Sequence, residues 1–121
     1  MKKILIIEDE PSYVKLLHSQ LQHGYQVSEA ADGKSGLFLA KKERPDLILL
    51  DIVLPVMDGL TVLAELRKDP YGKTAKVILL TNLEATDETI YKVTDDPLVY
   101  YLVKSDVKLA DLFKKIEAIL A

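Results

Sequence analysis

Lys3-Ile4-Leu5-Ile6-Ile7 runs without a polar break into Glu8-Asp9-Glu10 and then Pro11. A strand half-exposed to water alternates apolar and polar residues, and this one does not. It reads as a central strand of a parallel sheet, covered on both faces. The fixed φ of Pro11 suits the first turn of a helix, and Val14, Leu17 and Leu21 supply that helix with one apolar stripe. Gly24 is its expected stop.

The same alternation continues outward from this stretch. Residues 25–30 form a second strand, and residues 33–42 a helix with Leu37 and Ala40 on one side, ending in charges before Pro45. Leu47–Leu50 is another buried strand, running into Asp51. Pro55 and Gly59 bracket a turn, after which Leu60, Leu63 and Leu66 make a third helical face. Residues 77–80 form the fourth strand. Residues 86–94 are weakly helical, anchored by Ile90 and Val93 and ended by Asp95-Asp96-Pro97. Val99–Val103 is the fifth strand, and Leu109, Leu112, Phe113, Ile116 and Leu120 give the clearest helical period of the chain. Five strands alternating with five helical patterns predict an α/β fold, doubly wound (βα)5, with helices on both faces of a parallel sheet. In such sheets ligands bind beyond the C-terminal strand ends, near the point where strand order reverses.

Bulk properties narrow the function classes. At 121 residues, with 49% hydrophobic and 29% charged side chains, the chain is read as one globular domain spanning residues 1–121, without an effector domain. Sixteen basic and 19 acidic residues leave a net charge of −3. With no basic block, the sequence offers no footprint for nucleic acid or anionic lipid. Cysteine is absent, which excludes disulfides and thiolate metal sites. The four-residue apolar run after Lys2-Lys3 is shorter than the roughly 7–15 residues of an export signal. No run approaches the roughly 18 of a membrane span. A soluble, cytoplasmic protein is the expectation.

Glu8 and Asp9 follow the first strand, Asp51 the third, Thr81 the fourth and Lys104 the fifth. Any one of them would be an ordinary polar residue at a strand end. Together they gather five polar groups at one edge of the sheet. Three carboxylates opposed by one ammonium repel each other unless a cation intervenes, and a divalent ion brings the sum to zero. Oxygen ligands with retained waters suit Mg²⁺, and the lack of Cys or His beside them in the sequence argues against zinc. His18 and His23 read as plain surface or capping histidines.

Five segments, taken in order, resemble the response-regulator receiver domain, the CheY-like family. They are Ile6-Ile7-Glu8-Asp9-Glu10, Pro45-Asp46-Leu47-Ile48-Leu49-Leu50-Asp51, Leu54-Pro55-Val56-Met57-Asp58-Gly59, Val77-Ile78-Leu79-Leu80-Thr81 and Tyr101-Leu102-Val103-Lys104. The resemblance spans residues 3–104 and implies a flavodoxin-like sandwich whose strands are ordered 2-1-3-4-5. It also implies a role in two-component signal transduction. Asp51 would take a phosphoryl group from a histidine kinase or phosphotransfer protein and become an aspartyl phosphate. Asp9 would bind Mg²⁺ directly, Glu8 through water, and Val53 through its backbone carbonyl. Lys104 and the Thr81 hydroxyl would hold phosphoryl oxygens. Thr81 would then move, and Tyr101 would turn inward to fill the space, altering the face of the fourth helix, fifth strand and fifth helix for a downstream protein. Tyr100, one residue away, should face the other side of the sheet. The donor would dock on the first helix, near Ser12 and Lys15, and the protein would be a monomer or a phosphorylation-dependent homodimer. It would be no dedicated enzyme beyond promoting its own phosphorylation and slow dephosphorylation.

The chain departs from the family in three places. Ser105 follows Lys104 where proline is usual, commonly after a cis peptide. Because a cis bond before a non-proline costs roughly 2.5–4 kcal/mol, a trans bond is expected, with Ser105 or Asp106 free to cap the last helix. Asp96-Pro97-Leu98 replaces the usual Gly-Ala before the fifth strand. Val53 and Leu83 are apolar beside the expected phosphoryl position, which should slow attack by water. Three other readings fit the residues less well. A haloacid-dehalogenase-type phosphatase needs a second Asp where Val53 stands. A nucleotide binder of flavodoxin type would be repelled by Glu8-Asp9-Glu10. A receiver-like interaction module that is not phosphorylated would not need the whole site set.

Overall fold

The computed structural model describes residues 1–82 and 96–121. The helix expected over residues 86–94, and Leu83, lie outside the described residues. Within them the strands are β1 (Lys3–Ile7), β2 (Gln26–Ala30), β3 (Leu47–Leu50), β4 (Val77–Thr81) and β5 (Val99–Val103). The helices are α1 (Pro11–Leu21), α2 (Gly33–Glu43), α3 (Gly59–Leu66) and a C-terminal helix, Leu109–Leu120, with a short 3₁₀ turn at Gly72–Thr74. All strands are parallel and ordered β2-β1-β3-β4-β5, as the resemblance implied.

The unbroken apolar strands earn their composition by serving two cores at once. Leu5 and Ile7 of β1, Ile48 and Leu50 of β3, and Val77 and Leu79 of β4 pack with Ala40 of α2 and with Val62, Leu63 and Leu66 of α3. Their neighbours Ile4, Ile6, Leu47, Leu49, Ile78 and Leu80 pack with Val14, Leu17 and Leu21 of α1 and with Leu112, Ile116 and Leu120 of the C-terminal helix. A period of two on the strand thus meets helical stripes on both faces. β5 follows the rule: Tyr101 packs on the α2–α3 side and Tyr100 on the other.

Several local devices differ from expectation. Gly24 does not close α1 through a left-handed residue. The helix ends at Leu21 with Gln22 in right-handed geometry, and the Gly24 amide donates to the Leu21 carbonyl at 3.1 Å. Arg44 makes the left-handed turn that ends α2, at φ 51°. Neither Ser105 nor Asp106 caps the last helix. Both lie in a tight turn in which the Asp106 and Val107 amides donate to the Val103 carbonyl, so the chain reaches the helix only at Lys108, three residues beyond Ser105. No cis peptide bond occurs among the described residues, as expected for Lys104–Ser105.

The β3–α3 connection is pinned from three sides. Asp58 caps α3 by accepting from the Thr61 amide at 3.0 Å. Gly59 lies so close to β3 that a Cβ there would sit 2.1 Å from the Asp51 carbonyl oxygen. The Pro55 carbonyl accepts from Gly33 at the start of α2 and from Met57 two residues on. That second bond closes a three-residue turn around Val56, whose φ is 70°. A β-branched residue is strained there. Val56→Asn should raise stability by about 1 kcal/mol, seen as a melting temperature a few degrees higher, because Asn tolerates left-handed backbone. Gly59→Ala should lower it by more than 2 kcal/mol (order of magnitude, from the cost of overpacking).

Candidate functional site

Strand order reverses between β1 and β3: the chain leaves β1 toward β2, while β3 adds on the opposite side. Ile7 lies opposite Leu50, and the Asp51 amide donates to the Ile7 carbonyl at 3.1 Å. Glu8 and Asp51 therefore emerge side by side. Thr81 ends β4 opposite Val103, and the Lys104 amide donates to the Thr81 carbonyl at 2.9 Å. A cleft of about 380 Å³ opens at these four strand ends, lined by Glu8, Asp9, Asp51, Val53, Thr81 and Lys104 among others.

Glu8, Asp51 and Thr81 are buried polar residues, at 4%, 7% and 1% exposure. Such groups persist in a core only when partnered. The Lys104 ammonium ion-pairs with Glu8 Oε1 and lies 3.3 Å from Asp51 Oδ2. Asp51 Oδ1 accepts from the Val53 amide at 3.2 Å, and the Thr81 hydroxyl also donates to Asp51. Glu8 Oε2 is buried with no hydrogen-bond partner among the described residues.

The charges do not balance unaided. Burial, then the neighbouring Asp51 carboxylate, pushes the Glu8 carboxyl up to about 8, against the pull of Lys104. Burial also raises Asp51, but its neighbours Glu8, Thr81, Lys104 and the Val53 amide outweigh it and hold Asp51 below its ordinary value. Lys104 is opposed by burial and still held above the usual ammonium value by Glu8 and Asp51. Glu8 therefore binds a proton more readily than an ordinary carboxyl, while Asp51 stays ionised.

The three clustered carboxylates mark where a cation fits. One oxygen each from Glu8, Asp9 and Asp51 lie within 4.8 Å of one another, and one Glu8 oxygen is buried without a partner. An all-oxygen set with an open side suits a hard divalent ion that keeps several waters. His18 instead pairs with Glu29.

The sequence of residues 4–117 matches the response regulator receiver domain family. The chain belongs to that family. It is 33% identical to protein PilH of Pseudomonas aeruginosa, with 100% of this chain and 99% of PilH aligned. It is 35% identical to the response regulator PleD of Caulobacter vibrioides over 85% of this chain, but spans only 25% of PleD. Among solved structures, Vibrio cholerae chemotaxis protein CheY4 superposes with a TM-score of 0.86 at 30% identity, covering 98% of both chains. The receiver domain of the Pseudomonas aeruginosa sensor kinase PA1611, solved with magnesium in its active-site cleft, does so at 0.84 and 30% identity, covering 99% of this chain and 98% of that one. Among the described residues of this receiver domain, no helix is long and apolar enough to cross a membrane.

Glu8, Asp9, Asp51, Thr81 and Lys104 thus share one receiver cleft. Tyr101 sits apart from it, half-buried on the α2–α3 side of β5. Two neighbours of Lys104 were not singled out from sequence. Its ammonium lies 4.6 Å from the centroid of the Tyr13 ring and 3.9 Å from Glu10 Oε2. Tyr13 falls outside the Val14–Leu17–Leu21 stripe, in the first turn after the acidic strand end, and that placement was the available signal.

A carboxyl whose native value exceeds its unfolded value binds its proton more tightly when folded. Glu8 accordingly adds stability below its ordinary 4.5, and that contribution is lost as pH rises toward about 8. In EDTA the melting temperature should fall by a few degrees between about pH 6 and 8.5. Glu8→Gln should flatten that fall, and Mg²⁺ should reverse it in the wild type.

Proposed function

We propose that Asp51 is the phosphoacceptor of this receiver domain. The observation that supports this most is the placement of Asp51 itself: a buried carboxylate kept ionised, paired to Lys104 and within 4.8 Å of two further acids. An Asp51 carboxylate oxygen attacks phosphorus of a phosphohistidine or small acyl phosphate. The new P–O bond forms in line as the bond to the donor breaks, and the leaving group keeps the electron pair. Little covalent chemistry is asked of the protein beyond placing charge. Lys104 compensates the phosphoryl oxygens, and the Thr81 hydroxyl donates to one of them. Asp9 and Asp51 would hold Mg²⁺ directly, Glu8 through water and Val53 through its carbonyl. The ion would supply the remaining positive charge and orient the phosphoryl group.

Residues 1–121 act in this reading as one receiver unit in a two-component pathway. The first helix, with Ser12 and Lys15 exposed, receives the histidine kinase or phosphotransfer protein. Thr81 and Tyr101 pass the change to the face of residues 86–94, β5 and the C-terminal helix, where a downstream protein binds. The protein works in the cytoplasm, without direct contact to nucleic acid or membrane, as a monomer or a dimer formed on phosphorylation.

Acetyl phosphate with Mg²⁺ should add one phosphoryl mass to the wild type and none to Asp51→Asn. If neither acetyl phosphate nor a cognate kinase gives an Asp51-dependent gain, the domain is an interaction module that is not phosphorylated. The Val53 side chain is 60% exposed at the cleft, where it offers an attacking water no hydrogen bond. Val53→Asn should therefore shorten the aspartyl-phosphate lifetime by about tenfold, read by loss of phosphoryl mass with time, as expected for one added group that orients water.

A further inference from the structure

Lys104 is held from two directions. Glu8 and Asp51 grip its ammonium from inside the cleft, and both also belong to the set that would bind a cation. From the mouth, the Tyr13 ring lies 4.6 Å away and the Glu10 carboxylate 3.9 Å. These outer groups come from a single turn. Pro11 starts α1, and the Tyr13 and Val14 amides both donate to the Glu10 carbonyl at 3.1 Å, so Glu10 and Tyr13 move together.

A divalent ion and the Lys104 ammonium compete for the same oxygens. With an ion bound there, Glu8 and Asp51 would attract Lys104 less and the ammonium would be repelled from the cleft floor. The backbone of Lys104 cannot retreat, because its amide is bonded to Thr81 and the Val103 carbonyl closes the following turn. Only the side chain can move, and the electron-rich ring face and the outer carboxylate are the acceptors already beside it.

We propose that Tyr13 is a positioning residue for Lys104: with Glu10 it forms a second seat that holds the ammonium at the cleft mouth while a divalent cation occupies the Glu8–Asp9–Asp51 oxygens. This rests on the phosphoacceptor reading above and adds a residue to it. In that seat the ammonium faces the incoming phosphoryl group instead of the metal's ligands. Ser105, which leaves the usual proline out of the turn after Lys104, makes a side-chain seat the more useful.

The test is a double-mutant cycle on Mg²⁺ binding, measured by calorimetry without any phosphoryl donor. Removing the seat forces Lys104 back onto the carboxylates, so Tyr13→Leu should weaken Mg²⁺ binding by about three- to tenfold, the range of a partly buried cation–π contact. In a Lys104→Ala background the same substitution should change nothing. Tyr13→Phe, which keeps the ring, should bind Mg²⁺ like the wild type. In NMR spectra the Lys104 Hε resonances should move upfield on adding Mg²⁺ to the wild type and to Tyr13→Phe, as ring current requires, and not to Tyr13→Leu. Equal effects of Tyr13→Leu in both backgrounds, or none in either, would reduce Tyr13 to packing and overturn the proposal. Wild type that binds no Mg²⁺ would overturn it together with the phosphoacceptor reading.

Discussion

An ammonium set between two buried carboxylates is the contact on which the rest of this receiver domain depends. Lys104 reaches Glu8 and Asp51 across the strand ends, from 96 and 53 positions away in sequence. Buried charges are costly unless paired and hydrogen-bonded, and this pair is incomplete, since one Glu8 oxygen lacks a partner. The deficit appears in the Glu8 carboxyl, which burial holds well above its ordinary value.

The sheet is built to hold those charges still. Both faces of β1, β3 and β4 are sealed by helices, so the strand ends are set by two cores and a continuous ladder. The loop carrying Val53 is fastened as firmly, by the Asp58 cap, the close approach of Gly59 and the strained turn at Val56. Strain at φ 70° in a valine persists because the bonds of Pro55 to α2 and to Met57 leave the chain little choice. A second fastening lies far from the cleft. Arg67, at the end of α3, donates to Asp96 at 2.7 Å and to the Ala75 carbonyl at 2.8 Å, tying the approach of β5 to the turn before β4. Asp96, which replaces a smaller residue usual in the family, thereby gains a structural role.

Much of this was legible in the residues. Strands without alternation could only be interior and parallel, and the five strand-end polar groups pointed to one edge because βαβ units all run the same way. The departure at Ser105 was legible too, as a trans bond. Its consequence was read wrongly: Ser105 and Asp106 spend their backbone on the turn after β5 and stand too early to cap the next helix. Gly24 misled for a similar reason, because α1 closes on right-handed residues and needs no left-handed glycine. Caps depend on where a turn happens to finish, which neighbouring contacts decide.

Sequence alone determined the α/β class, the family and the identity of the five polar groups, because periodicity and motif order are local properties of the chain. Tertiary structure decided how their charges combine. How far Glu8 is raised and Asp51 lowered, which Glu8 oxygen lacks a partner, and that Lys104 also lies against Tyr13 and Glu10 all depend on distances across strand ends. Charge interactions fall with distance and rise with burial, and neither is written in the order of residues.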